Sequence, residues 1–117
     1  MVEDPTDERL AALVTRLSEL TRAGRVRWEL AETGRDDSFT YATPSGAVTV
    51  FSRDYDGRDP YVFSVRDADG RLAERTEFRK DSEDAELYQM VTALYRVARR
   101  QALGTTAVIE AMLRDLG

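Results

Sequence analysis

Acidic side chains dominate the segments of this sequence that could do chemistry. Asp54, Asp56 and Asp59 lie in one segment rich in turn residues, and Asp67 and Asp69 lie in the next. Carboxylates grouped in this way could bind Ca²⁺ if the two turns met at one edge of a sheet. The spacing departs from the EF-hand pattern, and Asp-x-Asp-Gly is typical of turns in which Asp accepts backbone N–H groups. We therefore predict turns here and no metal site.

The composition excludes most enzyme chemistry. The 117 residues contain neither Cys nor His, which removes thiol nucleophiles, cysteine zinc sites and Ser-His pairs. The 22 acidic residues fall at turns, helix starts and polar faces, and no pair of them is marked out for acid–base catalysis. Ser45 lies in a Pro-Ser-Gly turn, and no glycine-rich phosphate loop is present. We predict no catalytic residue, no cofactor-binding residue and no cofactor, and hence a protein that is not an enzyme.

Charge and hydropathy limit the partners. The 17 basic and 22 acidic residues give a net charge of −5, which opposes attraction to nucleic acid or to anionic lipid. All basic residues but Lys80 are arginine, a bias that favours arginine–carboxylate pairs and that a GC-rich bacterial genome also produces. The N-terminus has no signal-peptide pattern, and no run of 18 apolar residues occurs. We expect a small acidic bacterial protein in the cytoplasm, with no nucleic-acid and no membrane partner.

Apolar periodicity predicts the elements that must position any site. A first helix, capped by Asp4, should span residues 5–23, since leucines and valine recur at spacings of three and four. Alternating and β-rich runs separated by turn residues then predict five strands, at residues 25–31, 39–43, 47–51, 61–66 and 71–79, with Val26, Trp28 and Leu30 on the buried face of the first. Two amphipathic helices follow, the first capped by Asp81 or Ser82 and the second over residues 105–116.

This order of elements predicts a single α+β domain over residues 1–117. An N-terminal helix, a five-stranded antiparallel meander and two C-terminal helices favour helices laid on one face of the sheet. The first C-terminal helix, with the widest apolar stripe, should form the centre of the core. Phe51 and Val62 lie out of phase with their apolar neighbours, so the opposite sheet face should also carry apolar surface that a partner could cover.

Tyrosine and arginine group on one flank of the first C-terminal helix. Tyr and Arg are the residues most typical of binding hot spots. With the two apolar residues of the opposite sheet face, they make up the predicted protein-contact set: Phe51, Val62, Tyr88, Tyr95, Arg96, Arg99 and Arg100.

Three functional hypotheses remain open at this point. The first is a non-catalytic interaction or regulatory module, such as an adaptor, an antitoxin or immunity protein, or a chaperone, acting on a protein partner or as a homodimer. The second is a small-molecule or ion-binding domain, or a carboxylate-dependent enzyme, with a site between sheet and helices near Trp28, Tyr41 and Tyr61. The third is DNA binding through the terminal helices, which Glu110 and Asp115 on the last helix disfavour.

Overall fold

A computed structural model describes residues 5–31, 37–81 and 83–117 and confirms the α+β fold. The predicted caps Asp4 and Ser82 lie outside the described residues. In chain order the elements are α1 (Pro5–Arg22), β1 (Glu29–Leu30), β2 (Ser38–Thr43), β3 (Gly46–Ser52), β4 (Tyr61–Asp67), β5 (Leu72–Phe78), α2 (Ala85–Leu103) and α3 (Thr105–Leu116).

The strands form one antiparallel sheet in the order β1-β2-β3-β4-β5, as the meander predicts. Phe39 pairs with Val50, and Val50 pairs with Phe63, so these three side chains lie on the same face. All three are fully buried. Tyr61 on β4 and Phe78 on β5 extend the same buried row across the sheet. This face of the sheet is one side of the core.

The first strand is much shorter than the alternating pattern predicts. Val26 and Trp28 are buried as expected, yet only Glu29–Leu30 pairs with β2. The backbone N–H of Trp28 donates to Oε1 of Gln101 at 3.0 Å, so a side chain of α2 replaces a neighbouring strand. The indole Nε1 donates to Oγ1 of Thr21 at 3.1 Å. The alternation therefore predicts burial correctly at Val26 and Trp28 and wrongly at Leu30, which is 41% exposed. Side chains of the helices satisfy the polar groups of Trp28.

Helix α2 contacts all five strands and lies at the centre of the core, as predicted. Its N-cap is Asp84, which accepts from the backbone N–H of Leu87 at 2.9 Å, and the predicted cap Asp81 lies outside the helix. Gly104 ends the helix in the left-handed conformation, with a φ of 61°, and its N–H bonds to the carbonyls of Arg100 and Gln101. Helix α1 packs against α2 and adds Val14 and Leu17 to the core.

The second C-terminal helix is present, but only α2 of this pair lies on the sheet. Among the described elements α3 contacts α2 alone, and none of its residues is buried. The length of the strands accounts for this. Strands of seven residues are about 23 Å long, and α2 crosses all five strands. Two helices side by side at about 10 Å each already cover most of that length. Helices α1 and α2 therefore leave no room for α3 on this face.

Candidate functional site

The structure separates the seven predicted contact residues into three places. Phe51 and Val62 share the outer face of the sheet, opposite the helices. Tyr95 lies in the core, with Tyr88 partly buried beside it. The three arginines, Arg96, Arg99 and Arg100, lie exposed on the last turns of α2.

The outer sheet face is covered by side chains of this chain. Val62 is 0% exposed and pairs with Phe51 on one side and Glu77 on the other. Phe51 is half-buried, and its ring stacks on Tyr55 with centroids 6.1 Å apart. Glu77 lies within 3.8 Å of the guanidinium groups of three arginines, namely Arg53, Arg75 and Arg79. The apolar surface expected here is thus largely closed, and Val62 is not available to a partner.

The two tyrosines of α2 belong to an aromatic row in the core. The ring of Tyr95 lies 5.7 Å from Phe39 and 4.9 Å from Tyr61, between centroids. Tyr61 in turn lies 6.4 Å from Tyr88. Tyr95 is only 2% exposed, and its hydroxyl oxygen has no hydrogen-bond partner among the described residues. A buried hydroxyl without a partner is unusual and requires an explanation.

That hydroxyl group belongs to a residue lining a cleft between α2 and the loop of residues 53–60. The cleft encloses about 520 Å³. On the α2 side, the spacing of i, i+3 and i+4 places Arg96, Arg99 and Arg100 on neighbouring parts of the helix surface. None of the three forms an ion pair with a carboxylate in the described part of the chain. We call this feature the arginine cleft; its lining residues are Asp37, Tyr55, Asp56, Gly57, Tyr95, Arg96, Arg99 and Arg100.

The loop wall of the arginine cleft is held by buried side chains. Ser52 is fully buried, and its hydroxyl donates to the carbonyl of Arg58 at 2.7 Å. The Tyr61 hydroxyl donates to the carbonyl of Gly57 at 3.0 Å. Asp56 accepts from the backbone N–H of Arg58 at 2.9 Å, and this bond lowers the pKa of the Asp56 carboxyl. The hydroxyl groups of Ser52 on β3 and Tyr61 on β4 thus connect this loop to the sheet.

Charge in the arginine cleft is divided between its two walls. Helix α2 supplies three guanidinium groups, and Asp37 and Asp56 supply two carboxylates. Burial, followed by the nearby charge of Asp37, raises the pKa of Tyr95 above its ordinary value of 10.0. The phenol is therefore neutral at physiological pH and can act as a hydrogen-bond donor. The hydroxyl oxygen itself has almost no accessible surface, so the charged side chains rather than Tyr95 give the cleft its polar character.

A second surface lies on α3. Five large apolar side chains repeat at helical spacing along one side of it and are between 52% and 82% exposed. We call this the apolar face of α3: Val108, Ile109, Met112, Leu113 and Leu116. A helix that exposes such a stripe to water has not buried the face that its sequence pattern requires.

The predicted alternative site between sheet and helices is occupied by the core. Trp28 and Tyr61 are buried members of that core, and Tyr41 is half-buried with its ring 6.2 Å from Trp28. Tyr41 also lines a shallow groove of about 210 Å³ beside α1. Among the described residues, the apolar packing of this region includes no cluster of acidic groups for the carboxylate chemistry considered above.

The acidic turns have ordinary turn geometry. Oδ1 of Asp67 accepts from the backbone N–H groups of Asp69 and Arg71, at 2.9 and 3.0 Å. Asp54 pairs with Arg53, and Asp59 accepts from the backbone N–H of Lys80 at 3.1 Å. Within residues 5–31, 37–81 and 83–117, no group of three acidic side chains has an arrangement that would hold a metal ion.

Comparison with known proteins yields no relative. No protein family, curated protein or solved structure matches this chain. None of the helices described is both long and apolar enough to cross a membrane. Function must therefore be argued from the two surfaces themselves.

Proposed function

We propose that this protein is a non-catalytic protein-binding module whose docking element is the apolar face of α3. One observation carries the proposal: α3 is a regular amphipathic helix with no buried residue. Helices of globular domains bury their apolar stripe against their own core or against another molecule. Helices α1 and α2 already occupy the sheet, so the cover for α3 is expected to come from outside the domain.

The exposed area is energetically significant. The five side chains are together equivalent to about three fully exposed ones, and burying them would contribute roughly 5–9 kcal/mol. Association itself costs an estimated 4–15 kcal/mol in lost motion and ordering. The apolar face of α3 can therefore supply much of the affinity for a partner, while contacts beside the helix must supply the rest.

The occupant that best fits this face is an apolar groove on another protein. A helix of 12 residues is about 18 Å long and 10 Å wide. Two such helices paired side by side each cover one side of the other, which falls short of the roughly 800 Å² per partner in stable interfaces. A groove encloses the helix on three sides and reads anchors at i, i+4 and i+8, here Val108, Met112 and Leu116.

The net charge of this chain suggests which charge the rim of that groove carries. The chain carries a net charge of −5, and α3 itself has Glu110 and Asp115 against Arg114. An acidic module associates fastest with a partner of opposite charge, so we propose a basic rim around the groove. The same charge disfavours an anionic bilayer, since helices that lie on such membranes carry Lys and Arg on the polar face. A cytoplasmic location remains part of this proposal.

Matched charge substitutions on α3 test the proposal. Ile109→Glu and Met112→Glu place a carboxylate in the apolar face, whereas Ala107→Glu places one on an exposed part of the same helix. The tagged variants would be used to capture partners from extract of the source cells, with light scattering to give the mass of each complex. We expect a basic protein retained at fixed stoichiometry by the wild type and by Ala107→Glu, and released by the other two variants and by high salt.

Two results would overturn this assignment. If Ile109→Glu and Met112→Glu retain the partner as well as the wild type does, α3 is excluded as the docking element. A wild-type protein that is dimeric on its own, and monomeric in both variants, would replace the proposed partner with a second copy of this chain. Both variants should have the free energy of unfolding of the wild type, within about 0.5 kcal/mol, because the substituted side chains are exposed.

A further inference from the structure

We propose that α3 is a conditional helix, which is only partly formed in the free chain and is completed when its apolar face is covered. This inference rests on the proposed function, because it concerns the same docking element. The starting observation is that α3 lacks tertiary support. Among the described elements it contacts α2 alone, and none of its residues is buried. Most helical stability in proteins comes from the packing of an amphipathic face, which α3 does not have in the free chain.

The length of α3 does not compensate for this missing packing. The helix spans 12 residues, Thr105–Leu116, and isolated helices shorter than about 12–15 residues are only marginally stable in water. Helix α2 does not supply the first turn, because Gly104 ends α2 in the left-handed conformation. The first hydrogen bond of α3 then runs from the backbone N–H of Val108 to the carbonyl of Gly104. Helix α3 must therefore form a nucleus of its own.

The N-terminus of α3 also lacks the features that stabilise a first turn. Its N-cap is Gly104, which has no side chain to accept a hydrogen bond from the unpaired backbone N–H groups. The first turn contains no acidic residue to complement the helix dipole. Two threonines begin the helix and Val108 and Ile109 follow, and all four are β-branched residues of lower helix propensity than alanine or leucine. Helix α2 differs, since Asp84 caps it and Glu86 lies in its first turn.

A cover over the apolar face would supply the stability that α3 lacks. The five apolar side chains lie on one side only when the segment is helical, so a groove that buries them selects the helical form. Part of the binding free energy is then spent on ordering α3, and the affinity for a partner depends on how readily the helix forms. Substitutions on the polar side of α3 should therefore change the affinity without touching the partner.

Amide hydrogen exchange on the full chain tests the state of α3 before any cover is added. We expect the amides of α3 to be protected less than about tenfold, and those at the centre of α2 more than about a thousandfold. Thr106→Asp adds a negative charge to the first turn and should raise the protection of α3 about threefold. Ala107→Gly should remove most of that protection. Both positions are exposed, so α2 should exchange as in the wild type.

Micelles of a zwitterionic detergent provide a defined apolar cover that does not depend on a protein partner. Above the critical micelle concentration, we expect the protection of the α3 amides to rise at least about tenfold, because the micelle buries the apolar face. Ile109→Glu places a carboxylate in that face and should prevent the rise. Ala107→Glu, on an exposed part of the same helix, is the matched control and should retain it.

Either of two results would contradict the inference. Protection of α3 as strong as that of α2 in the free chain would show that the helix is complete without a cover. No rise with micelles in the wild type, or an equal rise in Ile109→Glu, would show that covering the apolar face does not complete the helix. Neither measurement needs the captured partner. A conditional helix that retains no partner would refute only the proposed function, and a complete helix that retains one would refute only this inference.

Discussion

Removing the hydroxyl of Tyr95 should stabilise the protein, although it takes a polar group out of a residue that is almost completely buried. The ring contacts of Tyr95 with Phe39 and Tyr61, at 5.7 and 4.9 Å between centroids, do not depend on the oxygen. The hydroxyl itself has left water without gaining a partner in the described chain. Tyr95→Phe therefore deletes a desolvation cost and keeps the packing.

The size of the effect follows from that cost. A buried polar group left without a hydrogen bond costs about 1–3 kcal/mol, and the small void left by the oxygen returns part of this. We expect a net gain of about 1 kcal/mol in the free energy of unfolding, or a rise of about 4 °C in melting temperature for a chain of this size.

Tyr61→Phe is the matched control, because it makes the same chemical change in the same aromatic row. The Tyr61 hydroxyl donates to the carbonyl of Gly57 at 3.0 Å and so helps to fix the loop that faces α2. Its removal should cost about 1 kcal/mol. The free energy of unfolding is thus expected to rise in Tyr95→Phe and to fall in Tyr61→Phe. If the loss of any tyrosine hydroxyl had the same effect, both variants would change in the same direction.

Urea unfolding followed by fluorescence measures both variants. Trp28 is the single tryptophan and is buried, so its emission reports the loss of the core. Equal m-values would show that the variants unfold to the same extent as the wild type. If Tyr95→Phe destabilises the protein as much as Tyr61→Phe does, the Tyr95 hydroxyl has a partner in solution.

Three further predictions concern the core and the sheet. Thr21→Val should cost about 1–3 kcal/mol in urea unfolding, because it leaves the buried indole N–H of Trp28 without its acceptor, whereas Thr21→Ser should retain most of the stability. Gly46→Ala should lower the stability by roughly 1–3 kcal/mol, since the added Cβ would overlap the carbonyl oxygen of Arg66 on the neighbouring strand; a wild-type melting temperature would contradict this. Burial raises the pKa of both core tyrosines, so the folded state holds their protons more tightly; the free energy of unfolding should fall as pH rises above about 10, and less so in the double Phe variant.

The sheet could be predicted from sequence because its signals are local. Pro44-Ser45 between two β-rich runs predicts a hairpin, and β2 and β3 pair across that turn from Thr43 opposite Gly46 onward. The first strand could not be bounded in the same way. Alternation at Val26 and Trp28 records which side chains are buried, but whether the backbone pairs with a strand depends on Gln101, which is distant in sequence.

The position of α3 could not be predicted from the periodicity of its apolar residues. An apolar stripe shows that one side of a helix must be buried. It does not show whether the sheet has room for that helix. Comparing the length of the strands with the combined width of two helices that cross them would have indicated that a third helix cannot lie on the same face. The amphipathic pattern was therefore informative, and the missing step was geometric.

One wall of the arginine cleft was visible in the sequence and the other was not. Arg96, Arg99 and Arg100 follow one another on a single helix, so their common surface can be predicted from spacing alone. Asp37 and the 53–60 loop reach them only through the fold of the sheet, whose long-range placement no local pattern encodes. Tyr95 was predicted at the surface for a related reason, because its position on the helix flank is compatible with either side until the strands beneath it are known.

The two surfaces meet at the end of α2, and this junction sets how they can influence each other. Gln101 holds the backbone of Trp28, which fixes the last turn of α2 to the core, and Gly104 then redirects the chain into α3. The arginine cleft lies on the fixed side of this junction, while α3 extends beyond it with contacts to α2 alone. The lining of the cleft includes no residue of α3, so a partner bound to the proposed docking face of α3 should have little effect on the cleft.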